Sequence, residues 1–153
     1  MSDTFTQLYI QLVFAVKGRY SFIQSTWEEN LHKYITAVVQ NDNHKMLAIN
    51  GMPDHIHIFL GLNPAIAISD LVKDIKRASN NWINGKEFTK QKFEWQGGYG
   101  AFSYGRSQID QVCKYISNQK KHHAKESFRK EYTRLLKKFD IEFKDEYLFE
   151  FYE

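Results

Sequence analysis

Residues 45–60 read KMLAINGMPDHIHIFL, and this segment is the most informative part of the sequence. It contains two short strand patterns, 45–50 and 55–60, joined by four residues that include glycine, proline and aspartate. Because these residue types are typical of tight turns, the pattern predicts a β-hairpin. Side chains two apart share one face of a strand, so His55 and His57 are expected to project together while the isoleucines beside them enter the other face.

The segments on both sides of this hairpin alternate between strand and helix patterns. Residues 6–16 alternate apolar with polar side chains, which predicts a strand with one buried face. Helical spacing of the apolar residues predicts helices within 25–41, 69–85, 107–123 and 128–139, and one more short strand at 101–104. Serines at the start of the first three helices are candidate caps.

The resulting order of elements is β-α-β-β-α-β-α-α, with no repeat and no linker. Strand, helix, hairpin, helix and strand form the split βαβ pattern. It predicts an α+β fold, a ferredoxin-like or RNA-recognition-like sandwich whose antiparallel sheet has helices packed mainly on one face. We expect residues 1–153 to form a single domain, with residues 140–153 as an appendage.

The composition excludes several classes of protein. Three Trp, nine Tyr and twelve Phe are typical of an ordered chain. Cys113 is the one cysteine, so no disulfide forms within the chain. No apolar run approaches the roughly 18–20 residues that span a bilayer, and the N-terminus shows no secretory signal. We therefore expect a cytoplasmic protein that does not bind membranes.

The formal net charge of +3 conceals an uneven distribution. Residues 140–153 contain six acidic residues and one lysine, a net charge of −5. The remaining residues carry 20 basic and 12 acidic side chains, a net charge of +8. A basic body is typical of nucleic-acid binding, although basic solvated faces are also common.

Two groups of side chains suggest chemistry. His55 and His57 on one strand face are a natural pair of ligands for a divalent metal, unless they are polar residues on a solvated face. On the third helix, Tyr115 and Gln119 lie one turn apart on one face, together with His122. The alternative for Tyr115 is a half-buried tyrosine whose hydroxyl reaches solvent.

Together these motifs resemble a known family. His-hydrophobic-His at 55–57, followed by Tyr-Ile-x-Asn-Gln-x-x-His-His at 115–123, is similar to the single-tyrosine HUH transposases of small bacterial insertion sequences, the TnpA-like enzymes of the 200/605 group. Residues 73–83, 95–99 and 145–149 also follow the order found in that family. The resemblance covers nearly the whole chain.

This resemblance implies a chemical mechanism. It assigns His55, His57 and Gln119 to a divalent metal, Mg²⁺ or Mn²⁺, and makes Tyr115 the catalytic nucleophile that attacks a DNA phosphodiester. The 5′ phosphate would be joined to the tyrosine, a 3′ hydroxyl would be released, and a second 3′ hydroxyl could rejoin the strands without ATP. A free phenol titrates near pH ~10, so His122 is a candidate assisting base.

The resemblance also implies partners. The substrate would be single-stranded DNA with a hairpin near the end of a mobile element, and the enzyme would be a homodimer in the bacterial cytoplasm, associated with the nucleoid. Cationic side chains that could contact DNA phosphates are Lys73, Lys76, Arg77, Lys120 and Lys121. For each of them the alternative is a solvated surface charge.

Three other functions stay open at this point. A domesticated, repeat-associated tyrosine transposase would use the same chemistry on chromosomal repeats. A noncatalytic nucleic-acid-binding module would be indifferent to metal and to the loss of the Tyr115 hydroxyl. A metal-dependent hydrolase would use water as its nucleophile and form no covalent intermediate. The paired histidines combined with the tyrosine–glutamine spacing favour the transposase.

Overall fold

The sheet is antiparallel throughout and has the strand order β2-β3-β1-β4 in the computed structural model, which describes residues 2–152. Glu153, part of the predicted acidic tail, therefore lies outside the described residues. The strands are β1 (Tyr9–Ala15), β2 (Lys45–Met52), β3 (His55–Gly61) and β4 (Gly100–Tyr104). The helices are α1 (Ser25–Asn41), α2 (Ile68–Gly85), α3 (Ile109–Ser117), α4 (Gln119–His122) and α5 (Phe128–Lys138). This order and connectivity confirm the predicted α+β, ferredoxin-like class.

The side chains of β3 enter two different buried layers. Ile56 and Ile58 belong to the main hydrophobic core together with residues of α1 and α2. His55, His57 and Phe59 point to the opposite face, where α3 and α5 cover them. The two histidines of the hairpin therefore lie under helices instead of on an open sheet surface.

Strand β1 differs from its prediction of a single buried face, because Gln11 is as fully buried as Leu12. Gln11 is accommodated because its amide nitrogen donates to Nδ1 of His57 at 2.9 Å and its oxygen accepts from the hydroxyl of Tyr104 at 2.7 Å. The two longest helices, α1 and α2, do share one face of the sheet. The shorter α3 and α5 close the other face, which the alternating pattern predicted to be solvated.

The serines predicted to cap α1 and α2 do not do so. α1 begins at Ser25 itself, with Gln24 at the N-cap position, and α2 begins one residue before Ser69; neither N-cap makes a side-chain hydrogen bond. A serine caps only from the extended N-cap position, and these serines already have helical backbone. A serine cap is present at Ser127, whose hydroxyl accepts an N–H of the first turn of α5 at 3.2 Å.

The predicted third helix is interrupted at Asn118. Its backbone angles, φ −96° and ψ 18°, lie outside the helical region, so α3 ends at Ser117 and α4 begins at Gln119. Tyr115, near the end of α3, and Gln119, at the start of α4, both still face α5 across this interruption.

The acidic tail packs against the loop that precedes β4. The side chain of Gln96 makes two hydrogen bonds with the backbone of Glu150, at 2.8 and 2.9 Å, and the hydroxyl of Tyr152 accepts the N–H of Gly18 at 2.6 Å. Among the described residues, no helix combines the length and the apolar character that crossing a lipid bilayer requires.

Candidate active site and metal cluster

Strand β3 and helix α5 bring together the charged groups of the site. His55 and His57 project from one face of β3, as their spacing predicts, and the carboxylate of Glu131 on α5 faces them. Its Oε1 atom lies 3.2 Å from Nε2 of His55 and 3.0 Å from Nε2 of His57. Nε2 of His123 approaches the same oxygen to 2.9 Å. Three imidazoles therefore converge on one oxygen of a carboxylate whose side chain is fully buried.

Both strand histidines are oriented by further partners. Nδ1 of His55 donates to Asp54 at 2.7 Å, since a carboxylate only accepts, and Nδ1 of His57 accepts from Gln11 at 2.9 Å. The ring of Phe128 stacks on the ring of His55 with a centroid separation of 3.7 Å. Such partners fix the tautomer and the ring orientation of imidazoles that bind metals.

The tyrosine and the glutamine of the third helix meet at the other oxygen of Glu131. The hydroxyl of Tyr115 donates to Oε2 in a short hydrogen bond and accepts from the guanidinium of Arg134 at 3.1 Å. Nε2 of Gln119 donates to the same Oε2 atom at 3.0 Å. One carboxylate thus separates the histidine cluster from the tyrosine.

The electrostatics of the site follow from its burial and its charges. Burial favours the neutral form of Glu131, but the electrostatic interaction with His57 and the contacts with the three histidines outweigh burial and hold the pKa of Glu131 far below its usual range. Burial, followed by the negative charge of Glu131, raises the pKa of Tyr115, and Arg134 opposes this rise only in part. The carboxylate is therefore ionised and the phenol protonated in the site as it stands.

Four side chains of this site could hold a metal ion. His55, His57, His123 and Glu131 each offer one ligand atom, and these atoms lie within 4.8 Å of one another. Nε2 of His55 and Oε1 of Gln119 are buried and have no hydrogen-bond partner among the residues that the structure describes. Since buried polar atoms are normally paired, this donor set fits a divalent cation.

The structure brings four of the residues predicted from the sequence into this cluster: His55, His57, Tyr115 and Gln119. The fifth, His122, lies at its edge. Its Nε2 atom makes a hydrogen bond of 2.6 Å with Glu126, and its ring centroid is 5.1 Å from that of Tyr115. His122 is thus close to the tyrosine but paired with another side chain.

Sequence reasoning missed three residues of the site: His123, Glu131 and Arg134. A signal for Glu131 was present, because it follows Phe128 by three residues and precedes Leu135 by four. It therefore occupies the apolar stripe of α5, where an unpaired carboxylate would be costly. No comparable signal singles out Arg134 among the other cations of that helix.

The five cations predicted to contact DNA have different surroundings. Lys76 donates to two backbone carbonyls of the loop before β4, at 2.7 and 2.8 Å, and burial lowers the pKa of Lys76. Lys120 pairs with Glu28 at 2.9 Å. The other three are exposed: Lys73 and Arg77 on α2, and Lys121 on α4. Helix α2 lies on the sheet face opposite the tyrosine.

Comparisons with known proteins bear on the same residues. The family described as Transposase IS200 like matches residues 4–119, which include both strand histidines, Tyr115 and Gln119. The ISDra2 transposase TnpA of Deinococcus radiodurans is 27% identical over 118 residues, covering 74% of this chain and 84% of that protein.

Two solved structures share the fold. One, from Deinococcus radiodurans R1 and provisionally assigned as a transposase, is 24% identical with a TM-score of 0.62, over 78% of this chain and 95% of that one. The other, a REP-associated tyrosine transposase bound to a REP hairpin, is 16% identical with a TM-score of 0.58, over 80% of this chain and 74% of that one.

Proposed function

Because the chain belongs to the IS200-like transposase family of DNA-cleaving enzymes, we propose that it cleaves and rejoins single-stranded DNA at hairpin-marked ends through a covalent bond to Tyr115. One observation carries this proposal. The hydroxyl of Tyr115 and the imidazoles of His55 and His57 contact the two oxygens of a single carboxylate, Glu131. The nucleophile and a pair of metal-binding groups therefore share one site.

The proposed reaction is a transesterification that conserves the number of phosphodiester bonds. The phenol oxygen of Tyr115 loses its proton and forms a bond to phosphorus, the bond from phosphorus to the 3′ oxygen breaks, and that oxygen takes up a proton from water and leaves as a 3′ hydroxyl. In the rejoining step, another 3′ hydroxyl attacks the phosphotyrosine and the phenol is released. Because each step exchanges one ester for another, no ATP is required.

The phenol must lose its proton as it attacks. Oε2 of Glu131 already accepts the hydrogen bond of the Tyr115 hydroxyl, so this carboxylate is positioned to receive the proton. His122, the base proposed from the sequence, is instead paired with Glu126. By geometry, Glu131 is therefore a closer first acceptor of this proton than His122 is.

A divalent metal held by His55 and His57 would supply Lewis-acid charge to the scissile phosphate. Two residues of this chain prepare those ligands before any metal binds. Asp54 accepts from Nδ1 of His55, which leaves the lone pair of Nε2 on that ring facing the centre of the site. Gln11 fixes the orientation of the His57 ring, and metal binding at its Nε2 requires the Gln11 amide to turn so that its oxygen accepts from Nδ1. The expected ions from the family resemblance are Mg²⁺ and Mn²⁺.

The proposed partner is a DNA hairpin, and the fold likeness to a transposase bound to a REP hairpin supports this proposal. A homodimer in the bacterial cytoplasm is proposed on the family resemblance alone. Tyr115 faces the histidine pair of its own chain, which supports a site that one chain can assemble.

The test is a search for a covalent protein–DNA adduct. Labelled single-stranded DNA that carries a hairpin is incubated with the full chain and Mn²⁺, and the products are separated under denaturing conditions. We expect an adduct with the wild type and with Tyr99→Phe, which removes the hydroxyl of an exposed tyrosine. We expect no adduct with Tyr115→Phe.

Three results would contradict the proposal. An adduct that persists in Tyr115→Phe would place the nucleophile elsewhere. Tight DNA binding without any adduct, over a range of hairpin-bearing ends and metals, would support the noncatalytic nucleic-acid-binding module instead. Release of cleaved DNA without a covalent intermediate would favour a hydrolase that uses water.

A further inference from the structure

Two residues beyond the family-matched segment reach into the histidine site: His123 on the turn after α4, and Glu131 on α5. We propose that they complete the metal site with His55 and His57, as a set of three nitrogens and one oxygen that takes Zn²⁺, Co²⁺ or Mn²⁺ in preference to Mg²⁺. This inference rests on the proposed function, since it concerns the metal of the same site.

The distances among the four groups suit a small metal ion. Nε2 of His123, His57 and His55 lie 2.9, 3.0 and 3.2 Å from Oε1 of Glu131. In a tetrahedral site with metal–ligand bonds of about 2.0–2.1 Å, neighbouring ligand atoms are separated by about 3.3 Å. The three nitrogen–oxygen distances are within a few tenths of an ångström of this spacing, and all four ligand atoms lie within 4.8 Å of one another, so the cluster reaches that geometry by contracting around the ion.

The hydrogen-bonding pattern of the cluster leaves a ligand atom available for a cation. Asp54 takes the Nδ1 proton of His55, which leaves Nε2 of the neutral ring as a lone pair, and that atom is buried without a hydrogen-bond partner among the described residues. His57 and His123 both contact one oxygen of Glu131, Oε1. A metal ion would be shared by all four ligand atoms and would satisfy each of them.

The chemistry of the donors selects the class of metal. Mg²⁺ prefers oxygen ligands and retains several waters, whereas imidazole nitrogens suit transition metals and Zn²⁺. Three of the four ligands here are imidazoles, and all four side chains are at least nine-tenths buried. The site therefore disfavours the Mg²⁺ that the family resemblance suggests, while Mn²⁺ remains compatible with it.

This ligand set differs from the one predicted from the sequence, in which Gln119 is the third ligand. The amide nitrogen of Gln119 donates to Oε2 of Glu131, so the glutamine supports the carboxylate. Glu131 would then bind the metal through Oε1 while Oε2 holds the hydroxyl of Tyr115. One side chain would thus couple the occupancy of the metal site to the position of the nucleophile.

The test measures metal affinity without reference to DNA cleavage. Metal-free full-length protein is titrated with Co²⁺, and binding is followed by calorimetry and by the visible absorption that tetrahedral Co²⁺ produces. We expect His123→Ala and Glu131→Gln each to weaken binding by at least the ~10–100-fold that loss of an outer partner of a metal site costs. His32→Gln, which removes an imidazole on α1, is the matched control and should bind as the wild type does.

The competing ligand sets give different results. If Gln119→Ala loses Co²⁺ affinity while His123→Ala and Glu131→Gln retain it, the ligand set predicted from the sequence is correct and this inference is wrong. If Mg²⁺ displaces Co²⁺ at similar concentrations, the proposed metal preference is wrong. Neither result alters the covalent-adduct test at Tyr115, so the failure of the ligand set is separable from the failure of the proposed function.

Folding is checked on the same samples. Thermal unfolding of each variant is recorded with and without a chelator, and metal binding is interpreted only for variants that unfold cooperatively. Glu131→Asp is the second variant at that position, because it keeps a carboxylate ligand and should retain more Co²⁺ affinity than Glu131→Gln. Equal affinity of these two variants would contradict ligation by Glu131.

Discussion

The guanidinium of Arg134 donates a hydrogen bond of 3.1 Å to the hydroxyl of Tyr115. Glu126 holds the same guanidinium through two hydrogen bonds, of 3.0 and 3.3 Å, so the positive charge is fixed beside the phenol oxygen. Arg134 acts on the pKa of Tyr115 in the direction opposite to burial and to Glu131. In the proposed reaction, a charge in this position would stabilise the phenolate form of Tyr115 as it attacks DNA and as it leaves.

We predict that Arg134→Gln slows formation of the covalent adduct by about 10²-fold or more, the cost of removing one donor from a developing oxyanion. Arg134→Lys should recover only part of the rate. An ammonium group cannot donate to Glu126 and Tyr115 at once with the fixed planar geometry of a guanidinium. The measurement is the single-turnover rate of adduct formation at saturating DNA. Arg19→Gln is the control, since Arg19 lies over Tyr152 of the tail.

A role of Arg134 in DNA binding alone would give a different result. The affinity for a hairpin substrate would then fall, while the adduct rate at saturating DNA would stay at the wild-type value. Measurement of both quantities for the same variant therefore separates charge stabilisation at Tyr115 from simple phosphate contact.

The strand histidines could be predicted from the sequence, whereas their carboxylate partner could not. The period of two in a strand is a property of the backbone, so His55 and His57 had to share a face once the hairpin was recognised. Glu131 meets them only because α5 folds back over β3, and no local pattern encodes that contact. The buried position of Glu131 in the apolar stripe of α5 was a signal, but not one that names its partner.

Predictions about the cations were limited for a similar reason. From the sequence, Lys76 and Lys120 looked like DNA contacts because lysines are usually solvated. In the structure Lys76 binds backbone carbonyls and Lys120 pairs with Glu28. A lysine that donates to loop carbonyls and a lysine that is free to contact a phosphate look alike in the local sequence. Only the tertiary structure distinguishes them.

The exposed face of α5 presents a basic stripe, formed by Lys130, Arg134, Lys137 and Lys138. These positions recur with helical spacing, and Arg134 within the stripe contacts Tyr115. We predict that Lys130→Ala/Lys137→Ala weakens binding of single-stranded DNA and reduces the slope of log affinity against log salt by about 1.4, since each phosphate contact contributes about 0.7. The measurement is a salt titration of the binding affinity.

The matched control for this stripe is Lys17→Ala/Lys33→Ala, which removes the same charge from side chains that pair with Glu94 and Glu29. Its salt slope should stay at the wild-type value. Equal reductions of the salt slope in the two double variants would show that DNA affinity depends on the net charge of the protein alone. DNA would then not bind along the basic stripe of α5.

Gly100 allows a prediction about how β4 supports α5. A Cβ atom at this position would lie 2.8 Å from the ring of Tyr132, the residue that follows Glu131. We predict that Gly100→Ala lowers the free energy of unfolding by about 1–3 kcal/mol, the usual cost of overpacking a core. Gly97→Ala should leave stability nearly unchanged, because its Cβ would meet no heavy atom within 4 Å. Urea unfolding of both variants is the measurement, and equal stability of the two would contradict close packing of β4 against α5.

His44 makes the stability of the fold depend on pH. Its ring is buried, and Nδ1 accepts the backbone N–H of Asn63 at 2.8 Å, which requires the neutral form. Burial lowers the pKa of His44 below 6.5, and the charge of Asp42 opposes this only in part. The unfolded chain therefore binds the proton more readily than the folded chain. The stability that the neutral ring contributes is present above about pH 6.5 and is lost as the pH falls below that value.

We therefore predict that the difference in free energy of unfolding between the wild type and His44→Gln shrinks as the pH is lowered from about 7.5 to 5.5. Glutamine is the appropriate replacement because its amide oxygen can accept the same N–H of Asn63 without titrating. Urea unfolding of both proteins at each pH gives the difference in free energy of unfolding. The contributions of the other histidines cancel in this difference where they are distant from His44 and independent of it. A difference that stays constant or grows as the pH falls would show that His44 is not held neutral by the fold.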